Sequence, residues 1–146
     1  MTDIVLHLVS KEGTIIDAPI EPMKASILIE KMLDGGEDDD DKTIPLPNVS
    51  SHILRLIVDF LEYYYTDKME NIPKPIPSVD LEDFITKKWY ANFVNRMSNM
   101  EIFELISAAN YMDIDPIISL GCAKIASMIK GKTSEEIRNI FNVEES

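Results

Sequence analysis

In "DIVLHLVSKEGTIIDAP", Ile4, Leu6 and Leu8 alternate with Val5, His7 and Val9. A period of two is the mark of a strand. Lys11-Glu12-Gly13 supplies a turn and Thr14 to Asp17 a return strand, so the chain is predicted to open with a hairpin. Pro19 and Pro22 bound a short turn or helix. The period then changes. In "SILIEKMLDGG", Ser26 caps a helix, Ile27, Leu28, Met32 and Leu33 lie near one face, and Gly35-Gly36 end it. "TIPLP" is a short extended piece whose prolines, Pro45 and Pro47, confine it to a sheet edge. In "SSHILRLIVDFLEYYYT", Ser50 or Ser51 opens a helix with a stripe of Ile53, Ile57, Phe60, Leu61 and Tyr64, widened by Leu54 and Val58. So broad an apolar surface predicts a central helix.

"DKMENIPKPIPS", with Pro73, Pro75 and Pro77, reads as a loop of polyproline character. Helical spacing resumes in "VDLEDFITKKWYANFV" through Leu81, Phe84, Ile85, Trp89 and Phe93. "NMEIFELISAANYMDI" is an amphipathic helix on Ile102, Phe103, Leu105, Ile106, Ala109 and Met112. "DPIISLGCAKIASMIKG" is another, with Pro116 in its first turn and Gly131 to end it. In "TSEEIRNIFNVEES", Thr133 and Glu136 have capping-box spacing. Short strands at the start and helices thereafter predict an α+β fold, with no internal repeat.

Composition narrows what such a fold does. The chain has 146 residues, 45% of them hydrophobic, enough for a sizeable core. A formal charge of −12 excludes nucleic acid and anionic membrane as natural partners, since both need a basic face. One cysteine, Cys122, excludes an internal disulfide and suits a reducing compartment. The start lacks the pattern of a signal peptide and no apolar run is long enough to span a bilayer. The protein is expected to be soluble and intracellular.

Several motifs tempt and fail. "KGKTS" ends like a phosphate-binding loop, but Ala126 stands where the first glycine belongs and a helix precedes it. The five acids Glu37 to Asp41 are adjacent, whereas calcium ligands alternate around a sharp glycine turn, so they read as a solvated loop. Two histidines, His7 and His52, and one cysteine do not make a structural zinc site. Cys122 reads as a small buried hydrophobe. No cofactor fingerprint or catalytic constellation stands out; the expectation is a protein that is not an enzyme, with no cofactor and no metal. Two features stay open. Asn110 and Tyr111 close an apolar helix, where Tyr111 with Phe103 and Ile106 reads either as ordinary packing or as an aromatic interface anchor. The last helix offers only Ile137, Ile140 and Phe141, too little to stand alone, so it docks on a neighbour or a partner.

"IPLPNV", "LISAANYMDI" and above all "ASMIKGKTSEEIRNIFN" resemble the Skp-type adaptors (S-phase-kinase-associated protein) of SCF ubiquitin ligases, and the resemblance runs through essentially the whole chain. It implies a POZ (BTB-like) fold over residues 1–115, followed by a helical F-box-binding region over residues 116–146. It implies a non-catalytic adaptor that bridges a cullin scaffold to F-box substrate receptors. By position, Phe103, Ile106, Asn110 and Tyr111 fall on the cullin-facing surface. Ile125, Met128, Ile129, Lys130, Gly131, Lys132, Thr133, Ile137, Ile140 and Phe141 fall on the F-box side.

Three departures stand out. Ser134 replaces a usual proline, the run Tyr63–Tyr65 is unfamiliar in the family, and the chain stops at Ser146, where the family continues into a further tail helix. Without that tail, weaker F-box binding and self-association through the last helix are expected. The alternatives are an elongin-C-like adaptor, which would lack the two helices after Ile114, and a self-associating structural POZ domain.

Overall fold

The computed structural model describes residues 4–35 and 43–141, so the acidic run Glu37–Asp41 and Gly36 lie outside the described residues. The chain forms two compact units. The first comprises Met1–Lys68 with Ser107–Asp115, the second Met69–Ile106 with Pro116–Ser146.

The first unit is built on a three-stranded sheet in the order β2-β1-β3. The hairpin pairs β1 (Val5–Val9) with β2 (Ile15–Pro19) in antiparallel register, Leu6 opposite Ala18 and Leu8 opposite Ile16. All four are buried, as the alternation requires. The return strand runs on past Asp17 to Pro19, because Ala18 continues the inward alternation and Pro19 needs no donor at a strand end. Helix α1 (Ile20–Met23) follows at once. The edge strand β3 (Thr43–Pro45) runs parallel to β1, and Leu46 N–H donates to Val9 O at 2.8 Å just beyond it.

Helix α2 (Ile27–Gly35) buries Ile29, not Ile27, which is 39% exposed. The cause is Ser26. Its Oγ accepts the Ile29 N–H at 3.2 Å, as a cap does, and donates to Met112 O at 2.6 Å, which fixes the face that α2 turns inward. Helix α3 (Ser51–Thr66) is capped by Ser50, whose Oγ accepts the Ile53 N–H at 3.3 Å, and buries Ile53, Leu54, Ile57, Val58, Phe60 and Leu61. In the tyrosine run, Tyr64 stacks on Phe60 at 5.8 Å between centroids, and Tyr63 donates to Asp67 Oδ2 at 3.2 Å.

In the second unit, residues 69–80 carry no regular element, as the prolines predict. The helix expected through Leu81 to Phe93 is broken into a 3-10 turn (Leu81–Asp83) and α4 (Lys88–Asn95). The backbone leaves the helical region at Phe84 (φ −134°) and at Lys87 (ψ 106°), around the β-branched pair Ile85-Thr86. The break turns Tyr90 fully inward, while Trp89 stacks on Phe93 at 5.1 Å. Helix α5 (Asn99–Met112) passes from the second unit into the first. It ends in a Schellman turn: Asp113, in the left-handed region at φ 59°, donates its N–H to Asn110 O, and Ile114 N–H reaches Ala109 O at 2.9 Å. Helix α6 (Asp115–Ile129) and α7 (Ser134–Phe141) are the last elements among the described residues.

Cys122 is exposed, contrary to the sequence reading. The buried face of α6 is Ile117, Leu120, Gly121, Ala123 and Ser127. At about 100° per residue, position 122 points nearly opposite to the middle of that face. Among the described residues, no buried side-chain nitrogen or oxygen lacks a hydrogen-bond partner.

Candidate functional site

The α6–α7 corner is assembled from local signals. Ile129 ends α6, and Gly131 takes φ 76°, the left-handed conformation that terminates a helix without steric cost. Lys132 N–H donates back to Ile129 O at 3.0 Å. The chain re-enters a helix through a reciprocal capping box: Thr133 Oγ1 accepts the Glu136 N–H at 3.1 Å, and Glu136 Oε1 accepts the Thr133 N–H at 2.9 Å. The "GKT" string is therefore a helix–turn–helix joint, not a phosphate cradle.

This corner brings together the residues expected on the F-box side. Ile125, Met128 and Ile129 on α6 and Ile137 on α7 are half-buried, while Lys130, Gly131, Lys132 and Thr133 line the turn between the two helices. Ile140 and Phe141 lie on the backbone of α7, and their side chains lie outside the described residues. Lys124 holds α6 to α4, donating to Asn95 Oδ1 at 3.0 Å, and Asn95 Nδ2 donates in turn to Glu82 at 3.0 Å.

The residues expected on the cullin-facing side are all carried by α5. In the second unit Phe103 and Ile106 are half-buried. In the first unit Asn110 is exposed and Tyr111 half-buried. The start of α5 has its own capping box, which sequence reading missed. Ser98 Oγ accepts the Glu101 N–H at 3.1 Å, and Glu101 Oε1 accepts the Ser98 N–H at 2.8 Å. The signal was present as "SNME", the same Ser/Thr-x-x-Glu spacing as "TSEE". Gly121 was missed too: it is buried on α6, directly under Ile106.

Chemistry elsewhere is sparse. His7 and Asp17 face each other across the hairpin, with Nδ1 2.7 Å from Oδ1. Among the described residues no three His, Cys, Asp or Glu side chains cluster so as to hold a metal ion, and no helix is long and apolar enough to cross a membrane. Glu12 has a perturbed acidity. Its carboxylate accepts the Ser51 N–H at 2.8 Å, and this hydrogen bond above all lowers its pKa from 4.5.

Family models match both parts of the chain. The Skp1 family tetramerisation domain matches residues 4–66, covering the hairpin through α3, and the Skp1 family dimerisation domain matches residues 115–145, covering α6 and α7. The chain is 39% identical over 139 residues to the S-phase kinase-associated protein 1 homolog of Tetrahymena thermophila, covering 94% of this chain and 81% of that one. It is 36% identical over 146 residues to the E3 ubiquitin ligase complex SCF subunit sconC of Emericella nidulans, covering 99% and 87%. A sconC subunit from Neosartorya fischeri is 35% identical over 138 residues, covering 94% and 84%. With a POZ domain carrying the sheet and a dimerisation domain carrying the corner of its last two helices, the chain belongs to the Skp1 family.

Proposed function

We propose that this chain is the non-catalytic adaptor of an SCF-type ubiquitin ligase, joining F-box substrate receptors to a cullin. The observation that carries the reading is the α6–α7 corner. It presents Ile125, Met128, Ile129 and Ile137 half-exposed along two helices joined by a turn, within the segment that matches the family's dimerisation domain. An apolar helix of a partner buries its stripe in such a corner, with Lys130, Lys132 and Thr133 at the polar rim. Ile140 and Phe141 extend the assignment along α7. The POZ part, residues 1–115, presents Phe103, Ile106, Asn110 and Tyr111 on α5 to the cullin N-terminal domain, and residues 116–146 form the receptor-binding part. No step of this function asks for a nucleophile, a metal or a cofactor.

Calorimetric titration with a cullin N-terminal domain and with a generic F-box peptide tests the reading. Both partners bind independently if it holds; binding of neither removes it. Tyr111→Ala is expected to weaken the cullin by about 1–3 kcal/mol, as an aromatic anchor does, and to leave the F-box peptide unaffected. Unchanged cullin affinity removes Tyr111 from the surface. The half-exposed apolar corner also supports self-association when no F-box is bound. Light scattering decides that point: a dimer that the F-box peptide dissolves uses the corner, and a dimer indifferent to the peptide does not.

A further inference from the structure

Within the second unit, α6 meets α5 at a position where it has no side chain. Gly121 is buried in the interior of α6. A Cβ built on it would stand 2.5 Å from Ile106 Cγ1 and 2.9 Å from Ile106 Cδ1, and 4.0 Å from Ile106 Cβ. The isoleucine side chain thus fills the volume that any other residue at 121 would need. Glycine is disfavoured inside a helix, so its place here is explained by packing rather than by local propensity. Cγ1 is not the free end of a flexible chain: moving it means turning χ1, and a β-branched residue in a helix has essentially one good χ1.

Ile106 is also half-exposed, and it is one of the residues assigned above to the cullin-facing surface. What it shows outward is set by what it packs on inward. We propose that Gly121 is a positioning residue for that surface: the bare backbone of α6 seats Ile106 in the one rotamer that α5 presents to the cullin. This inference rests on the functional reading above and adds to it a residue that touches neither partner.

The test uses the full chain and four variants: Gly121→Ala, Ile106→Ala, the double variant, and Tyr111→Ala. Each is titrated with the cullin N-terminal domain and with the F-box peptide, and the Ile106 δ1-methyl resonance is followed by NMR in the variants that keep it. Gly121→Ala should shift that methyl resonance and weaken the cullin by about tenfold, while F-box affinity stays within about twofold. In the double variant Cγ1 and Cδ1 are gone and the new Cβ meets only a Cβ at 4.0 Å. Its cullin affinity should therefore equal that of Ile106→Ala alone, a non-additivity that direct coupling produces.

A Gly121→Ala variant with unchanged cullin affinity, beside a weakened Ile106→Ala, overturns the inference and leaves the functional reading standing. Equal loss of both partners makes Gly121 a structural residue only, and also overturns it. Unchanged cullin binding in both Ile106→Ala and Tyr111→Ala overturns the cullin surface itself, and the inference with it.

Discussion

Glu12 shows what a single exposed side chain does here. It sits in the hairpin turn, yet its Oε1 accepts the N–H of Ser51, 39 residues away, at the first residue of α3. That amide is one of the donors a helix leaves unsatisfied at its start, and a carboxylate is favoured there. The hydrogen bond stabilises the ionised form and lowers the folded-state pKa below 4.5. A lowered pKa contributes stability above the unfolded value, and that contribution disappears as pH falls through the folded value. An NMR titration of the Glu12 carboxyl should have its midpoint below that of a free glutamate. Glu12→Gln should flatten the loss of thermal stability between neutral pH and about pH 3, and an acid limb identical to that of the parent would refute the link. The sequence showed Glu12 only as a turn residue, because its partner depends on where α3 begins in space. Cys122 was misread for a related reason. Its neighbours Leu120 and Ile125 suggested a stripe, but the buried face runs through Ile117, Leu120, Gly121, Ala123 and Ser127, and a hydrophobicity pattern underweights the small residues among them.

Elements were legible where their signals are local. The hairpin, the edge strand, the cap at Ser50, the proline-rich loop and the Thr133–Glu136 box each depend on residues within a few positions of one another. The break between the 3-10 turn and α4 was not legible, because the apolar spacing from Leu81 to Phe93 is helical while the backbone between them is not. Helix α7, described over Ser134–Phe141, opens on the Thr133–Glu136 cap. Thr133→Ala removes the acceptor for the Glu136 N–H and should cost about 1 kcal/mol of local stability. Hydrogen exchange of the α7 amides should then accelerate by about fivefold, the factor that such an energy represents in an opening equilibrium. Exchange unchanged within error would show that packing, not the cap, holds α7. If the corner binds F-box helices, the same variant should weaken the F-box peptide and leave the cullin unchanged.

For the whole molecule, the informative bond is the one from Ser26 Oγ to Met112 O, which closes 86 residues of chain at 2.6 Å. Ile27 N–H to Asp113 O, at 3.1 Å, runs beside it. Both lie in the first unit, whose final segment, Ser107–Asp115, comes from far along the sequence. Periodicity reports which face of an element is apolar and is silent on which distant element covers it, so this closure could not be read from the pattern. Ser26→Ala would leave the Met112 carbonyl without this donor and the Ile29 amide without its cap. It should lower stability by about 1–3 kcal/mol in urea denaturation, and a loss below roughly 0.5 kcal/mol would show that neither group depends on the hydroxyl. The same closure orders events at the ribosome. At about 5–20 residues per second, roughly 2–8 s of synthesis separate Lys68 from Ser107. For that interval the nascent sheet and its helices lack the buried side chains of Ala108, Ala109, Met112 and Ile114. The first unit is thus begun early in synthesis and completed only once residue 114 has been made.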